Sequence, residues 1–168
     1  MTSNKKKQLF AEIYNQNADS ILRLCYMYLK DKELAQDATQ ETFLKAYKNI
    51  YSFKELSNIN TWLTSIAINT CKNIIRKSKY KEKEVSLSDA EYHIHSSSPN
   101  SDATLSVSEA VCSLPNEYKE VVLLKYYRDL PIRDISKILS LPQTTVNYRL
   151  LKAKSLLKDI LKEDFFYE

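Results

Sequence analysis

The stretch with the clearest chemical character lies near the end of the chain, where residues 142–161 read PQTTVNYRLLKAKSLLKDIL. Before its last turn this stretch has no acidic residue, and amide, hydroxyl and phenol groups stand among its cations. Cationic side chains bind phosphates, and amides or hydroxyls can hydrogen-bond the edges of bases. These residue types favour binding to a nucleic acid. The four cations are Arg149, Lys152, Lys154 and Lys158.

The spacing of the apolar residues in this stretch predicts one helix with two different faces. The apolar face consists of Val146, Leu150, Ala153, Leu157 and Ile160. Opposite it, a helical wheel places Thr144, Asn147, Tyr148, Leu151, Lys152 and Ser155, which can contact base edges or a thymine methyl group. Arg149, Lys154 and Lys158 fall at the margins, where they can meet phosphates. The alternative is an ordinary amphipathic helix whose basic face is solvated.

The residues before this helix predict the element that positions it. IRDISKIL reads as a short helix with Ile132, Ile135, Ile138 and Leu139 inward, and residues 140–142 form a turn. A short helix, a tight turn and a longer basic helix make the helix-turn-helix pattern, whose second helix enters the major groove. Many such turns carry glycine, and Ser140 stands there in this chain.

A second basic face is predicted in the first half of the chain, on a helix near residues 61–79 with Asn60 as a candidate N-cap. Its apolar side is Trp62, Leu63, Ile66, Thr70 and Ile74, and its polar stripe is Ser65, Asn69, Lys72, Asn73 and Arg76. From Lys72 to Lys81 there are five positive charges and no negative one. The helix dipole explains cations in the last turn but not the earlier stripe, so a polyanionic partner is the better account.

The remainder of the chain reads as helices around one polar segment. Asp31 is a plausible N-cap for the helix that follows it. A short helix near Thr104 is expected to hold Leu105, Val107 and Val111. Pro115 can begin the next helix, in which Tyr126 is expected to be largely buried. Residues 82–103 read as a flexible acidic linker. Its His93 and His95 are interpreted as solvated, and no metal ligand, catalytic residue or cofactor is predicted.

Composition excludes several classes of function. The sequence of 168 residues has no glycine, which rules out the glycine-rich phosphate-binding loops and the GxSxG nucleophile elbow. Cys25, Cys71 and Cys112 are widely spaced and form no CxxC pair, so buried thiols in a reducing cytosol are expected. Nothing approaches a membrane span, and the net charge of +4 does not by itself identify the partner.

Three segments together resemble one family, the extracytoplasmic-function sigma factors of bacterial RNA polymerase. DKELAQDATQETFLKAYKNI resembles the family's acidic helix with its QETF tetrapeptide, and INTWLTSIAINTCKNIIRK resembles the next helix. LPNEYKEVVLLKYYRDLPIRDISKILSLPQTTVNYRLLKAK resembles its helix-turn-helix domain. The resemblance implies an all-α fold of two small domains, region 2 in residues 1–81 and region 4 in residues 104–168, joined by the linker.

The resemblance also implies roles and partners. The implied protein is a cytoplasmic initiation factor, not an enzyme, and is monomeric when free. It would bind core polymerase at the β′ clamp helices and the β flap, and it would bind promoter DNA. An anti-sigma factor is a further implied partner. Clamp docking falls on Asp37, Gln40, Glu41 and Phe43. Binding of the −10 element falls on Asn58, Asn60, Trp62, Asn69, Lys72, Asn73 and Arg76. Binding of the −35 element falls on Thr144, Asn147, Tyr148, Arg149, Leu151, Lys152 and Ser155.

Departures from the family pattern limit what can be carried over. The family often has Arg or Lys at the position of Asn147, Ser at that of Tyr148, Arg at that of Lys152 and Ala at that of Ser136. The −35 sequence that this chain prefers therefore cannot be inferred from any relative. Lysines outnumber arginines twenty to five, which leaves few bidentate guanine contacts. The alternatives are a helix-turn-helix regulator that binds operators without polymerase, a small enzyme with an unrecognised site, and a membrane-surface helix.

Overall fold

The computed structural model describes residues 3–51, 53, 58–85 and 106–165, and within them all regular structure is helical. Three helices form a first unit and the remaining helices form a second. The helices are α1 (Ser3–Leu29), α2 (Lys32–Asn49), α3 (Ile59–Val85), α4 (Val107–Ser113), α5 (Asn116–Val122), α6 (Ile132–Leu139) and α7 (Gln143–Phe165). The prediction of an all-α chain is confirmed.

The first unit is a bundle of α1, α2 and α3 around fully buried residues such as Leu24, Leu63 and Ile68. The chain reverses between α1 and α2 at Lys30, whose φ of 58° lies in the left-handed region. Asp31 then caps α2, since its side chain accepts a hydrogen bond from the Leu34 amide at 2.8 Å. The predicted cap at Asp31 is therefore confirmed, and it fixes where α2 begins.

The start predicted for α3 is wrong by two residues. The helix begins at Ile59, directly after Asn58. The Asn58 side-chain oxygen accepts a hydrogen bond from the Asn60 backbone amide at 2.9 Å, and the Asn58 carbonyl accepts one from the Trp62 amide at 3.1 Å. This leaves the Asn60 side chain available for another contact. At its other end α3 continues to Val85, so residues 82–85 are helical rather than linker. The rest of the predicted linker, with His93 and His95, lies outside the described residues.

The second unit begins with a capping box: Ser106 accepts the Glu109 amide, and the Glu109 carboxylate accepts the Ser106 amide at 2.8 Å. Pro115 precedes α5, as predicted. Val107 and Val111 lie in this helix, as predicted; Val111 is buried, whereas Val107 at the first turn is 64% exposed.

After α5 the chain widens into a π-helical turn, Leu123–Tyr127, which sequence periodicity did not predict. A π turn contains more residues than an α turn and so shifts the phase of the side chains that follow. For this reason the predicted burial of Tyr126 is wrong: Tyr126 is 55% exposed, and its neighbour Tyr127 faces inward, where its hydroxyl donates to the Ser20 carbonyl at 3.3 Å.

The helix-turn-helix is formed by α6 and α7, as predicted. Ile135 and Val146 are fully buried between them. Ser140 ends α6 with φ 54° and ψ 44°, the left-handed conformation that glycine adopts more easily. The turn is held by two hydrogen bonds between its ends, from the Leu141 amide to the Ser136 carbonyl at 3.0 Å and from the Ser136 hydroxyl to the Leu141 carbonyl at 2.5 Å.

The two units pack against each other, whereas the sequence indicated only two modules on one tether. Buried residues of both units form one continuous apolar cluster. Around it, side chains of α1 and α3 meet side chains of α5 and of the turn before α6. These contacts are mostly polar, and they bring together residues far apart in the sequence.

Candidate DNA-binding faces and the contact between the two units

The outer face of α7 is arranged as the helical wheel predicts. Val146, Leu150 and Ala153 are buried against the rest of the second unit, and Leu157 and Ile160 are half-buried. Tyr148 and Leu151 are 62% and 69% exposed, which is unusual for such large side chains. The remaining predicted base-contacting residues are all exposed as well: Thr144, Asn147, Lys152 and Ser155. A continuous surface that bears amide, hydroxyl, phenol and ammonium groups therefore faces solvent.

Arg149 differs from its neighbours on α7, because its guanidinium turns back toward α5. It is 3.2 Å from a carboxylate oxygen of Glu120 and 3.6 Å from one of Glu117. Its side chain retains only about a fifth of its exposure. The sequence places Arg149 at the edge of the DNA-facing surface, and the structure shows that protein carboxylates already occupy it.

The polar stripe of α3 is also present but is unequally exposed. Asn69 and Arg76 are exposed, and Arg76 donates to the Asn73 side chain at 3.1 Å. Asn73 and Trp62 are half-buried, and the Trp62 ring lies 5.0 Å from that of Phe53. Lys72 is half-buried, and its ammonium lies 3.0 Å from Glu120 of the second unit. Asn58 is exposed beside the start of the helix.

The residues predicted to dock on polymerase lie along α2, at an apolar groove between α1 and α2. Phe43 is only 4% exposed, with its ring 4.8 Å from that of Tyr14, so it forms the floor of the groove. Gln40 and Leu44 are exposed at the edge, and Leu44 is 60% exposed. Asp37 is exposed one turn earlier, and the Glu41 carboxylate pairs with Lys45 at 2.6 Å.

Arg128, in the turn before α6, is the most extensively bonded side chain between the units. It is 6% exposed, and its guanidinium donates to the Thr64 hydroxyl and the Ser20 hydroxyl, each at 2.9 Å. It also donates to the Asn60 side-chain oxygen, and the Asn60 amide donates back to the Arg128 carbonyl at 3.3 Å. All three side-chain acceptors belong to the first unit, so this buried cation is satisfied only when the units are packed.

Glu120 of α5 is the buried acid of the same contact. It is 5% exposed and accepts from three directions: Lys72 of α3 at 3.0 Å, the Tyr28 hydroxyl of α1 at 3.1 Å and Arg149 of α7 at 3.2 Å. Burial, together with the nearby charge of Glu120, raises the pKa of Tyr28. A carboxylate enclosed in this way needs its donors, because a buried charge that loses its partners is costly.

Next to Glu120, Lys119 is almost completely buried, at 3% exposure. Its ammonium donates to the Tyr28 carbonyl at 3.1 Å, at the C-terminal end of α1. Burial, and secondarily the positive charge of Lys30, lowers the pKa of Lys119 to about 8. The end of α1 is therefore joined to α5 by one cation and one anion side by side.

Sequence reasoning missed Glu120, Arg128 and Lys119. All three lie in or beside EVVLLKYYRDL, which reads as a largely apolar helix that ends in a turn at Arg128. No spacing in that segment distinguishes a charged residue that faces a partner helix from one that faces water. The predicted burial of the cysteines is confirmed for Cys25 and Cys71, whereas Cys112 is half-buried. All three are free thiols.

The fold and the two faces define a class before any comparison: a two-unit helical protein with a basic, amide-bearing helix face in each unit. Comparison with known families then identifies it. Sigma-70 region 2 matches residues 13–80, and Sigma-70 region 4 matches residues 104–157. The chain belongs to the extracytoplasmic-function sigma factors of the sigma-70 family, proteins that direct transcription initiation and are regulatory rather than catalytic.

Individual relatives cover nearly the whole chain. The ECF RNA polymerase sigma factor SigW of Bacillus subtilis is 32% identical over 167 residues, which span 92% of this chain and 89% of SigW. The RNA polymerase sigma-H factor of Pseudomonas aeruginosa is 27% identical and spans 93% of this chain and 88% of its own length. The sigma factor RpoE of Bartonella quintana, solved with the anti-sigma factor NepR, has the same fold, with a TM-score of 0.76, 21% identity and coverage of 91% of this chain and 96% of that one.

Within the described residues, no helix has both the length and the apolar character that crossing a bilayer requires.

Proposed function

We propose that this sigma factor binds core RNA polymerase and directs it to promoters through two DNA contacts, one made by each unit. Residues 1–81 act as the unit that binds polymerase and the −10 element, and residues 104–168 act as the unit that binds the −35 element and the β flap. The observation that carries the proposal is the pair of basic, amide-bearing helix faces on α3 and α7. The family membership supports the pairing.

The −35 contact falls on the exposed face of α7. Asn147, Tyr148, Leu151 and Lys152 reach base edges in the major groove, with Thr144 and Ser155 at either end and Arg149 beside them. Lysine rather than arginine at position 152 makes the guanine contact a single charge-assisted hydrogen bond instead of a bidentate pair. Binding by the isolated chain therefore relies strongly on phosphate contacts and weakens steeply with salt.

The −10 contact falls on α3 and the residues before it. Asn69, exposed in the middle of the helix, lines the place where an unpaired base is held, and Asn58, Asn60 and Trp62 stand at the helix start. Lys72, Asn73 and Arg76 contact the backbone of the DNA strand that carries this base. Extrusion of a base costs a few kcal/mol of unstacking, which contacts in a pocket can offset.

Polymerase binding falls on the groove between α1 and α2. Its aromatic floor and its edge of Gln40 and the exposed Leu44 suit a partner helix that presents apolar side chains, and the Glu41 carboxylate, next to Gln40 on α2, suits a basic one. Asp37 adds negative charge one turn away. The structure of the Bartonella relative with NepR supports an anti-sigma factor as a further partner. The protein acts in the cytoplasm, where the polymerase is, and is monomeric when free.

Run-off transcription with core polymerase tests the whole proposal. We expect transcripts with defined start sites only when the chain and core polymerase are both present. A chain that shifts promoter DNA equally well with and without core polymerase, and yields no transcript, would instead be an operator-binding regulator.

The docking groove can be tested separately by Glu41→Lys combined with Leu44→Asp. Both side chains are at least partly exposed, so the fold is kept, whereas Phe43→Ala would open a cavity in the first unit. We expect loss of core polymerase in a pull-down, with unchanged helicity by circular dichroism. Glu12→Lys, the same charge change at an exposed position of α1, is the matched control. Equal retention of polymerase by both variants would remove the groove from the docking site.

A further inference from the structure

Arg149 is the only arginine of α7, and it links this helix to α5. One nitrogen of its guanidinium lies 3.2 Å from the Glu120 carboxylate, and the other terminal nitrogen lies 3.6 Å from that of Glu117. Both acids belong to α5, so the link lies within the second unit. A planar guanidinium presents its donors in a rigid fork, so it can hold two carboxylates in fixed directions, whereas an ammonium is a point charge.

The link lies at the boundary between the buried row of α7 and its DNA-facing surface. Leu150 is buried against the second unit, whereas Tyr148 is 62% exposed on the surface predicted to contact bases. The apolar row decides which side of α7 faces the core, but apolar contacts have no preferred direction. Charge-assisted hydrogen bonds do have one. The two bonds of Arg149 therefore limit the rotation of α7 about its own axis.

We propose that Arg149 is a positioning residue, which holds α7 at the rotation that its −35 contacts require and binds protein carboxylates rather than DNA. The inference rests on the proposed function, since it assumes that α7 binds the −35 element. Side chains of a helix end roughly 5–6 Å from its axis, so a rotation of about 10° moves them by about 1 Å. A shift of that size is enough to lose a hydrogen bond to a base edge.

The burial of Glu120 argues against a second role of Arg149 at a DNA phosphate. Glu120 is 5% exposed, and a buried carboxylate that loses a cationic partner is costly. Only about a fifth of the Arg149 side chain is exposed, whereas Lys152, Lys154 and Lys158 on the same helix are exposed. These lysines can meet DNA without disturbing a buried acid. The −35 face therefore contacts DNA without a guanidinium.

The test uses the full chain without polymerase, and it makes two measurements. The anisotropy of a fluorescein-labelled duplex of mixed sequence, followed against salt, gives the slope of log K, which reports the number of phosphate contacts. Selection by the wild-type chain from a pool of randomised duplexes gives an enriched sequence. Competition between the enriched duplex and a scrambled one then gives the ratio of their affinities, which measures the sequence preference.

Arg149→Lys is the main variant, because it keeps the positive charge that a phosphate would need and loses the planar group that binds two carboxylates. We expect it to lower the ratio of affinities at least about fivefold, the effect of one lost base contact, and to leave the salt slope unchanged. Arg133→Lys is the matched control, the same change at an exposed arginine of α6, and it should behave as wild type. Arg149→Ala should also keep the slope, whereas Lys158→Ala lowers it by roughly one.

Glu117→Gln provides a second variant, in case Arg149→Lys is poorly folded by circular dichroism. Glu117 is exposed, so its replacement leaves the core intact and weakens one of the two bonds of Arg149. A positioning role predicts a smaller loss of preference in the same direction. An Arg149 that binds phosphate would instead be released from a competitor, which would steepen the slope by about one. Asp159→Asn, at an exposed position of α7, is the control for the loss of negative charge alone.

A wild-type preference in Arg149→Lys would overturn the inference, and so would a uniform loss of affinity for all duplexes without a change in preference. A slope lowered by Arg149→Ala as much as by Lys158→Ala would make Arg149 a phosphate contact. A slope that Glu117→Gln steepens more than Asp159→Asn does would have the same meaning. A wild-type chain that enriches no sequence would overturn the inference too. Failure of the proposed function is a separate result, the absence of transcripts with core polymerase.

Discussion

The faces of α3 and α7 have similar compositions but different surroundings. On α7 nearly the whole predicted DNA-binding surface is open to solvent, and only Arg149 is engaged. On α3, Asn69 and Arg76 are open, while Asn60 and Lys72 are bonded to the second unit. A DNA-binding surface can therefore be complete in sequence and partly occupied in the fold. The difference predicts that the two faces fail in different ways.

The largest expected effect separates Asn69 from Lys152. Asn69→Ala should leave binding to a −35 duplex unchanged and reduce open complexes about tenfold or more, since the pocket contacts offset a few kcal/mol of unstacking. Lys152→Ala should change which −35 sequences are bound, by about 1–3 kcal/mol or roughly 5- to 150-fold per lost base contact. Permanganate footprinting of unpaired thymines measures the first effect, and competition between duplexes measures the second.

Each variant is the control for the other. If Asn69→Ala opened promoters as well as wild type while Lys152→Ala did not, Asn69 would be an ordinary surface residue. The proposed difference between the α3 face, which holds an unpaired base, and the α7 face, which contacts bases of the duplex, would then be wrong.

An intermediate effect distinguishes the centre of the α7 face from its margin. Lys154 and Lys158 are exposed, with the Lys154 ammonium 5.6 Å from the ring of the exposed Tyr126, and the helical wheel predicts both at the margins of the α7 face, where phosphates lie. Lys154→Ala and Lys158→Ala should weaken binding to all duplexes alike and lower the slope of log K against log salt by roughly one each. A change of sequence preference in either variant would place it among the base-reading residues.

The smallest effect concerns the turn that presents α7. Ser140 has φ 54°, a conformation that costs a non-glycine residue about 1–2 kcal/mol. Glycine relieves this cost but adds freedom to the unfolded chain, so Ser140→Gly should raise stability by about 0.5–1 kcal/mol. Thermal unfolding of Ser140→Gly beside Ser140→Ala tests this, since alanine keeps the steric cost. Equal melting temperatures in the two variants would show that this turn carries no strain.

Helical periodicity predicted most of what depends on one helix at a time. The buried row that begins at Val146 and the cap at Asp31 are as expected, because the spacing of apolar side chains and the local bond of an N-cap are properties of a single segment. The family signature added the order of the two units. Periodicity predicted the wrong burial for Tyr126, because a π-helical turn shifts the side chains around the helix and the sequence shows no pattern that marks such a turn.

What the sequence determined by itself is the existence of the two basic faces, since the direction of a side chain on a helix follows from its position along the chain. What only the tertiary structure decided is which of those side chains are already bonded. Nothing in the sequence marks Lys119 and Glu120 of α5, or Arg128 of the turn before α6, as buried, yet all three are buried where the second unit meets α1 and α3. Their partners in the first unit include Tyr28, 92 residues from Glu120 in sequence, and Ser20, 108 residues from Arg128, and contacts at that separation arise only when separate helices pack.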